Sequence, residues 1–228
     1  MQNVLVIFKK QLRDTLKNKM ILIQFVMFPV LTLIMENCIT IKDMPEHFFT
    51  KLFAVMYIGM APLVSASSVI AEEKEKDTLR VLMHANIKPW QYLAGVGAYI
   101  WSICMIGALL LATGLPSDER IFFMCVMAIG FVISIVAGAC VGIFAKNQMT
   151  ATSVVMPVML VLSFAPMLAM FNDIIKKGAT VFYTQQLRLV FDEMTWSAFS
   201  GKSVMIICIN ALLFVLLFAV LYRKKGLE

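Results

Sequence analysis

Two histidines and a Gly-Lys-Ser tripeptide are the residues of this sequence that come nearest to catalytic chemistry in type and spacing. A phosphate-binding loop has the pattern GxxxxGK[ST], because its glycines let backbone amides surround the phosphates. Residues 201–203 supply the end of this pattern, but Trp196 stands at the first glycine position, so the match is due to chance. His47 and His84 are predicted on opposite sides of a membrane, which excludes a metal site that pairs them. We therefore expect no catalytic residue, metal or cofactor on this chain.

The composition indicates a membrane protein. Hydrophobic residues make up 61% of the 228 positions and charged residues 15%, whereas soluble domains have about 45–50% and about 25%. At this length we expect a single domain, 1–228, without room for a separate soluble module. The net charge of +6 does not indicate nucleic acid, because the basic residues cluster just outside the apolar runs, as membrane orientation requires.

Apolar stretches of near-spanning length position everything else in the chain. A hydrocarbon core about 30 Å thick requires roughly 20 helical residues. The predicted spans are 20–41, 52–71, 90–115, 121–145, 150–171 and 203–222. The first is the weakest, because Gln24, Pro29 and Glu36 interrupt it. In the fourth, Gly138 and Gly142 form a GxxxG pattern, which we assign to a close helix contact within the subunit rather than to a dimer seam.

The distribution of positive charge predicts the orientation. Thirteen of the 20 lysine and arginine residues lie in the two termini, in the segment 71–90 and in the turn at Lys146. The positive-inside rule then places both termini and the segment 71–90 in the cytoplasm. The tail that follows the last span within 203–228 is basic, as expected of a cytoplasmic stop.

Before the first span, residues 1–19 have an amphipathic helical pattern. One predicted face is apolar and the other basic, which is typical of a helix lying in the headgroup layer. The apolar face holds Val4, Leu5, Phe8, Leu12 and Leu16, and the basic face holds Lys9, Lys10, Arg13 and Lys17. The alternative is a solvated basic leader.

The segment 71–90 is charged and cannot lie in hydrocarbon. Leu79, Leu82 and Met83 recur at helical spacing, and Asp77 and Thr78 are suitable caps just before them. Upstream, the alternating charges of 72–77 predict that the second span's helix continues into water, with Glu72 and Lys76 as one supporting pair. A short helix held by two spans would transmit force to a soluble partner; the alternative is a turn whose leucines fold back on the membrane.

Between the fifth and sixth spans, the segment 172–202 is too polar to cross a membrane but carries several aromatic residues. Tyr183, Leu187, Val190 and Phe191 share a helical face, so one or two short helices are expected in the outer interface. They would either dip between the spans as a re-entrant segment or lie on the surface as an amphipathic loop.

The run EEKEKDTLRVLMHANIKPWQYLAG, residues 72–95, resembles the first cytoplasmic loop of the type-two permease subunits of ATP-binding cassette exporters. The likeness extends to the layout: an amphipathic helix before the first span, six spans, and an outer amphipathic segment before the last. The fold expected is thus an all-α integral membrane protein with six transmembrane helices. Asp77 departs from the glycine that is commoner in that family, which leaves the geometry of the local turn open.

The resemblance implies a set of roles. The loop would be a coupling helix that docks on a separate ATPase subunit, and residues 1–19 would be the family's connecting helix. The residues expected to form or brace the ATPase contact are Glu72, Glu73, Glu75, Thr78, Leu79, Arg80 and Leu82. ATP and Mg would be bound by the partner. A second permease copy or a sister permease would complete the transporter in a bacterial plasma membrane, and the cargo would be a drug, peptide, lipid or similar molecule.

The resemblance implies a substrate route along the second and fifth spans, which face the pathway in that family. Candidate pathway residues are Glu36, Ser65, Ser68, Met156, Met159 and Ser163. The alternative is that the serines and methionines pack between helices or face lipid. Glu36 near the outer end of the first span would either bind a cationic group or be a solvated helix end, and we favour the latter.

Two other classes of function stay open. A stand-alone ion-coupled carrier would need buried ionisable residues or an internal inverted repeat, and neither is evident in spans two to six. A non-transporting sensor or immunity protein would bind a partner without moving cargo. Co-purification with an ATPase whose hydrolysis responds to this chain would separate the permease from both.

Overall fold

The computed structural model describes residues 2–17, 19–39, 45–84 and 87–225, and within these ranges every regular element is a helix. The α-helices in chain order are α1 Gln2–Lys17, α2 Lys19–Cys38, α3 Phe48–Glu75, α4 Thr78–His84, α5 Pro89–Leu111, α6 Ser117–Phe144, α7 Gln148–Leu168, α8 Asp173–Ala179, α9 Tyr183–Glu193 and α10 Gly201–Lys225. Short 3-10 turns follow α5 and precede α10. The all-helical prediction is confirmed.

Five helices are long and apolar enough to cross a membrane, namely α3, α5, α6, α7 and α10. Each corresponds to one of the predicted spans. The stretch predicted as the first span is α2, whose apolar part, Leu22–Cys38, is shorter than the others. Pro29 lies inside this helix. The stretch that is the weakest predicted span in the sequence therefore also has the shortest apolar helix of the six.

Helix α3 is the axis of the bundle. It contacts α2, α5, α6, α7 and α9, and most of its side chains are buried. It continues to Glu75, beyond the apolar span that ends near Ala71, as the charge pattern of 72–77 predicted. We call the end of the bundle at Glu75, where α4 lies, the α4 end, and the opposite end, at Phe48, the α9 end.

Glycines let α6 approach α3 closely. A Cβ at Gly142 would lie 2.8 Å from the Cβ of Ile70 and 2.9 Å from the carbonyl oxygen of Ser67. A Cβ at Gly138 would clash even more severely with the carbonyl oxygen of Leu63. The predicted role of the GxxxG pattern as a helix contact inside the subunit is confirmed.

The segment between α7 and α10 contains two helices that differ in burial. Helix α8 is largely exposed, whereas α9 packs against α3, α6, α7 and α10 and buries most of its side chains. The hydroxyl groups of Tyr183 and Ser134 are 2.6 Å apart, and Ser134 also donates to the carbonyl oxygen of Ile58 at 2.6 Å. Of the two alternatives for this segment, α9 has the packing of a helix inserted between longer ones.

Candidate functional site

The charged end of α3 is the most connected polar region in the described part of the chain. Three consecutive residues, Glu73, Lys74 and Glu75, each contact a different neighbouring helix. We call these three residues the α3 hub. Helices are rigid over a few turns, so a displacement of this end would be shared by every helix tied to it.

Glu73 connects the hub to α1. Its side chain is only 6% exposed, and its Oε1 accepts hydrogen bonds from Lys10 Nζ at 2.5 Å and from Gln11 Nε2 at 2.6 Å. Tyr92 of α5 is buried nearby, and neither its hydroxyl nor Glu73 Oε2 has a hydrogen-bond partner among the described residues. A buried carboxylate is tolerated when a cation and hydrogen bonds compensate it, and here α1 supplies both.

Helix α1 docks on the bundle through buried residues that belong to neither of its two predicted faces. Ile7 and Gln11 are buried, with Ile7 seated against Gly95 of α5, while Leu5 is exposed. Lys9 and Arg13 are exposed as predicted, but Lys10 turns inward to Glu73. The side chain of Lys17 lies outside the described part. The small Gly95 and the buried Glu73 together determine which face of α1 docks. The apolar pattern of α1 predicts neither contact.

Lys74 and Glu75 connect the hub to α6 and α7. Lys74 Nζ donates to the carbonyl oxygen of Ile143 at 3.1 Å, in the last turn of α6. Glu75 accepts a hydrogen bond from the first backbone N–H of α7, at Gln148, at 2.9 Å. Both contacts place charge where a helix terminus favours it, a cation at a C-terminus and an anion at an N-terminus.

The turn between α3 and α4 is tight and well bonded. Lys76 Nζ donates to Glu72 Oε1 at 2.5 Å, which raises the pKa of the Lys76 ammonium above its usual value. The backbone N–H of Asp77 donates to the carbonyl oxygen of Lys74 at 3.1 Å, and the Asp77 carbonyl accepts from Val81. Asp77 itself has φ 56°, in the left-handed region.

The positive φ of Asp77 restricts which residues this position accepts. Glycine adopts positive φ freely, and aspartate is one of the few other residues that tolerates it. We expect Asp77→Gly and Asp77→Asn to leave the free energy of unfolding within about 1 kcal/mol of wild type. Asp77→Val should lower it by about 1–2 kcal/mol, because a β-branched side chain is strained there. Thermal unfolding of the detergent-purified chain measures this.

The Asn variant is the control for charge, since it removes the carboxylate but keeps the tolerance for positive φ. Equal losses of stability in the Asn and Val variants would show that the charge of Asp77, and not its backbone, is what the turn requires.

Helix α4 lies back against the bundle. Leu79 is 2% exposed and belongs to the main core, and Leu82 is half-buried against it. Of the residues predicted to form or brace a partner contact, Leu79 and Leu82 can only brace it from inside. Glu72 and Thr78 are half-buried, Glu75 is exposed, and the side chain of Arg80 lies outside the described part. Val81, which the sequence interpretation did not select, is 63% exposed.

Of the residues considered for a substrate route, Glu36 and Met156 line two different cavities in the described part of the chain. Ser65 accepts from Gln24 at 2.7 Å, Ser68 accepts from Gln148 at 2.9 Å, and Ser163 donates to the carbonyl oxygen of Met56 at 3.3 Å. Each serine thus joins two helices. Met159 is buried and Met156 is 52% exposed.

Glu36 connects the end of α2 to the start of α3. Its Oε2 accepts hydrogen bonds from the backbone N–H of Thr50 at 3.1 Å and from the Thr50 hydroxyl at 3.4 Å. Thr50 is in the first turn of α3, so the carboxylate of α2 caps the N-terminus of α3. His47 Nδ1 lies 3.7 Å from Glu36 Oε1, on the edge of a cavity of about 290 Å³.

Neither a family model nor a curated protein matches this chain. Its helical fold and five apolar helices of spanning length give it the character of a multi-pass membrane protein.

Proposed function

We propose that this chain is the permease subunit of an ATP-binding cassette transporter, an exporter, in which α4 is the coupling helix that docks on a separate ATPase. The observation that carries the proposal is the position of α4. It is a seven-residue helix held between α3 and α5, next to a hub that is bonded to α1, α6 and α7. ATP and Mg are bound by the partner, and α4 of this chain transmits the movement of the partner to the membrane helices.

In this proposal α2 is a sixth span. Its apolar part is about 26 Å long at 1.5 Å per residue, close to the thickness of a thin hydrocarbon core. Gln24 bonds to Ser65 toward one end of α3, and Glu36 bonds to Thr50 at the other, so α2 and α3 run antiparallel. With six spans both termini lie on one side, and the positive-inside rule makes it the cytoplasm.

The mechanism follows from the hub. ATP-driven closure of two ATPase subunits would push α4, and α4 would move the end of α3. Because Glu73, Lys74 and Glu75 are bonded to three other helices, α1, α6 and α7 would move with it. Cargo and nucleotide can shift this equilibrium between inward-open and outward-open states only by binding the two states unequally. A second copy of the chain, or a sister permease, would complete the pathway in the plasma membrane.

The test is a single substitution on the exposed face of α4. Val81→Asp should weaken co-purification of an ATPase encoded beside this chain by about tenfold or more, because an apolar contact at the centre of an interface is replaced by a charge. ATP hydrolysis should also cease to respond to the permease. Affinity capture from co-expressing membranes, with an ATPase assay on the captured complex, measures both.

Ile174→Asp is the matched control. Ile174 is 82% exposed at the start of α8, four residues after Met170, which lies beside Phe48 and Lys51 at the opposite end of the bundle. We expect this variant to bind the ATPase as wild type does. An ATPase that binds both variants equally, or one that never co-purifies with the wild-type chain, contradicts the proposal and favours a sensor or a stand-alone carrier.

A further inference from the structure

A cavity of about 270 Å³ opens at the α9 end, between α3, α9 and the end of α7. Its lining combines apolar side chains with charged ones. The residues are Pro45, Phe48, Lys51, Leu52, Met170, Arg188 and Asp192. The volume is about nine times that of one water molecule in the liquid, which is room for a small polar head and a short hydrocarbon segment.

The charges in this cavity do not cancel. Arg188 Nη1 lies 3.0 Å from Asp192 Oδ2, so one cation is paired. Lys51 Nζ donates to the backbone carbonyl oxygen of Asp192 at 3.4 Å and also interacts electrostatically with the Asp192 carboxylate. Glu193 is exposed and does not line the cavity. Two cations against one carboxylate leave the lining with an excess positive charge beside apolar walls.

Buried donors in this region lack partners among the described residues. Arg188 is 9% exposed, yet its Nε has no hydrogen bond. Gln185, one helical turn earlier on α9, is fully buried with neither amide atom bonded, although it does not line the cavity. An unsatisfied buried polar group costs about 1–3 kcal/mol, and more when it is charged. Native proteins keep such groups where a ligand, an ion or water completes them.

We propose that this cavity binds an anionic amphiphile. The carboxylate or phosphate head lies between Arg188 and Lys51, and the hydrocarbon segment lies against Phe48, Leu52 and Met170. The planar guanidinium suits a carboxylate or a phosphate, because it offers several donors in one plane. The ligand is either an anionic membrane lipid or a free fatty acid. This site does not depend on whether an ATPase binds α4.

Binding by the purified full-length chain in a neutral sugar detergent tests the site. The probes are decanoate, decyl phosphate, decanol and decylamine, which share one chain length and differ in head charge. We expect saturable calorimetric binding of both anions, and binding at least tenfold weaker for the alcohol and the amine. Equal binding of all four probes overturns the proposal. The absence of binding by both anions also overturns it, unless phosphatidylglycerol stabilises the chain in the nanodisc experiment below.

Variants locate the site. Arg188→Gln with Asp192→Asn removes the ion pair as a unit, so that no carboxylate is left without its cation. We expect it to weaken binding of the anions by about tenfold to a hundredfold. Met170→Trp, which narrows the apolar side, should weaken every probe. Arg120→Gln is the control: Arg120 is an exposed arginine at the start of α6, whose side chain bonds only backbone carbonyls. Anion binding that is the same in the double variant as in wild type overturns the proposal.

A final experiment distinguishes an anionic membrane lipid from a free fatty acid as the ligand. The chain is reconstituted in nanodiscs of phosphatidylcholine with or without phosphatidylglycerol, and its thermal unfolding is followed. Stabilisation by phosphatidylglycerol that the double variant loses identifies a lipid head group as the ligand. Decanoate binding in detergent without that stabilisation identifies a free fatty acid. Either result supports the site, and the absence of both overturns it.

Discussion

Gly138→Leu should abolish accumulation of folded protein. A Cβ at this position would overlap the carbonyl oxygen of Leu63 and also approach Ala66, so the new atoms meet the backbone of α3 rather than a flexible side chain. Overpacking a core costs about 1–3 kcal/mol when side chains can shift, and a backbone clash between two long helices exceeds that range. Yield of monodisperse protein and the thermal unfolding midpoint measure the effect.

Gly178→Leu is the control for replacing a helical glycine with leucine. Gly178 lies in the exposed helix α8, and a Cβ there has no atom within 4 Å. We expect near wild-type yield and stability. Gly142→Ala should be intermediate, because its Cβ meets Ile70 and Ser67 at 2.8 and 2.9 Å. Wild-type behaviour of Gly138→Leu would show that α3 and α6 are not held at the close approach described here.

Much of this architecture can be predicted from the hydropathy of the sequence. A helix that must be apolar over some 20 residues leaves a strong local signal, which is why five predicted spans coincide with long apolar helices. The extension of α3 to Glu75 was also predictable, since alternating charges at helical spacing support a helix in water. The Gly138 and Gly142 contact followed from one four-residue spacing.

The polar contacts were less predictable because each depends on a partner distant in sequence. In the sequence, Glu73 is one of several acidic residues in the same segment. Its partner Lys10 is 63 residues away and comes close to it only in the folded chain. The contact of Glu36 with Thr50 is not predictable from the sequence, because nothing local shows that the first turn of α3 lies within reach. In α9 the amphipathic pattern gave a helix, but its buried glutamine and arginine became informative only after neighbouring helices enclosed them.

The contact between Glu73 and α1 gives the second large prediction. Lys10→Met should lower the free energy of unfolding by about 1–3 kcal/mol, because it leaves a buried carboxylate with Gln11 but without its cation. Breaking a fully buried pair costs about 3–5 kcal/mol, and the value is smaller here because the Lys10 side chain is 38% exposed. Thermal unfolding measures the loss, and amide hydrogen exchange should show faster exchange confined to α1.

Two further variants distinguish an ion pair from lost packing. Lys9→Met removes the neighbouring, exposed lysine and should leave stability unchanged. Lys10→Met combined with Glu73→Leu removes both charges and should recover most of the lost stability, because an apolar pair of similar size often replaces a buried ion pair at little cost. If the double variant is no more stable than Lys10→Met alone, the carboxylate is not what binds α1. In that case α1 is held by Ile7 against Gly95, and motion of α3 would reach it through α5 and α2.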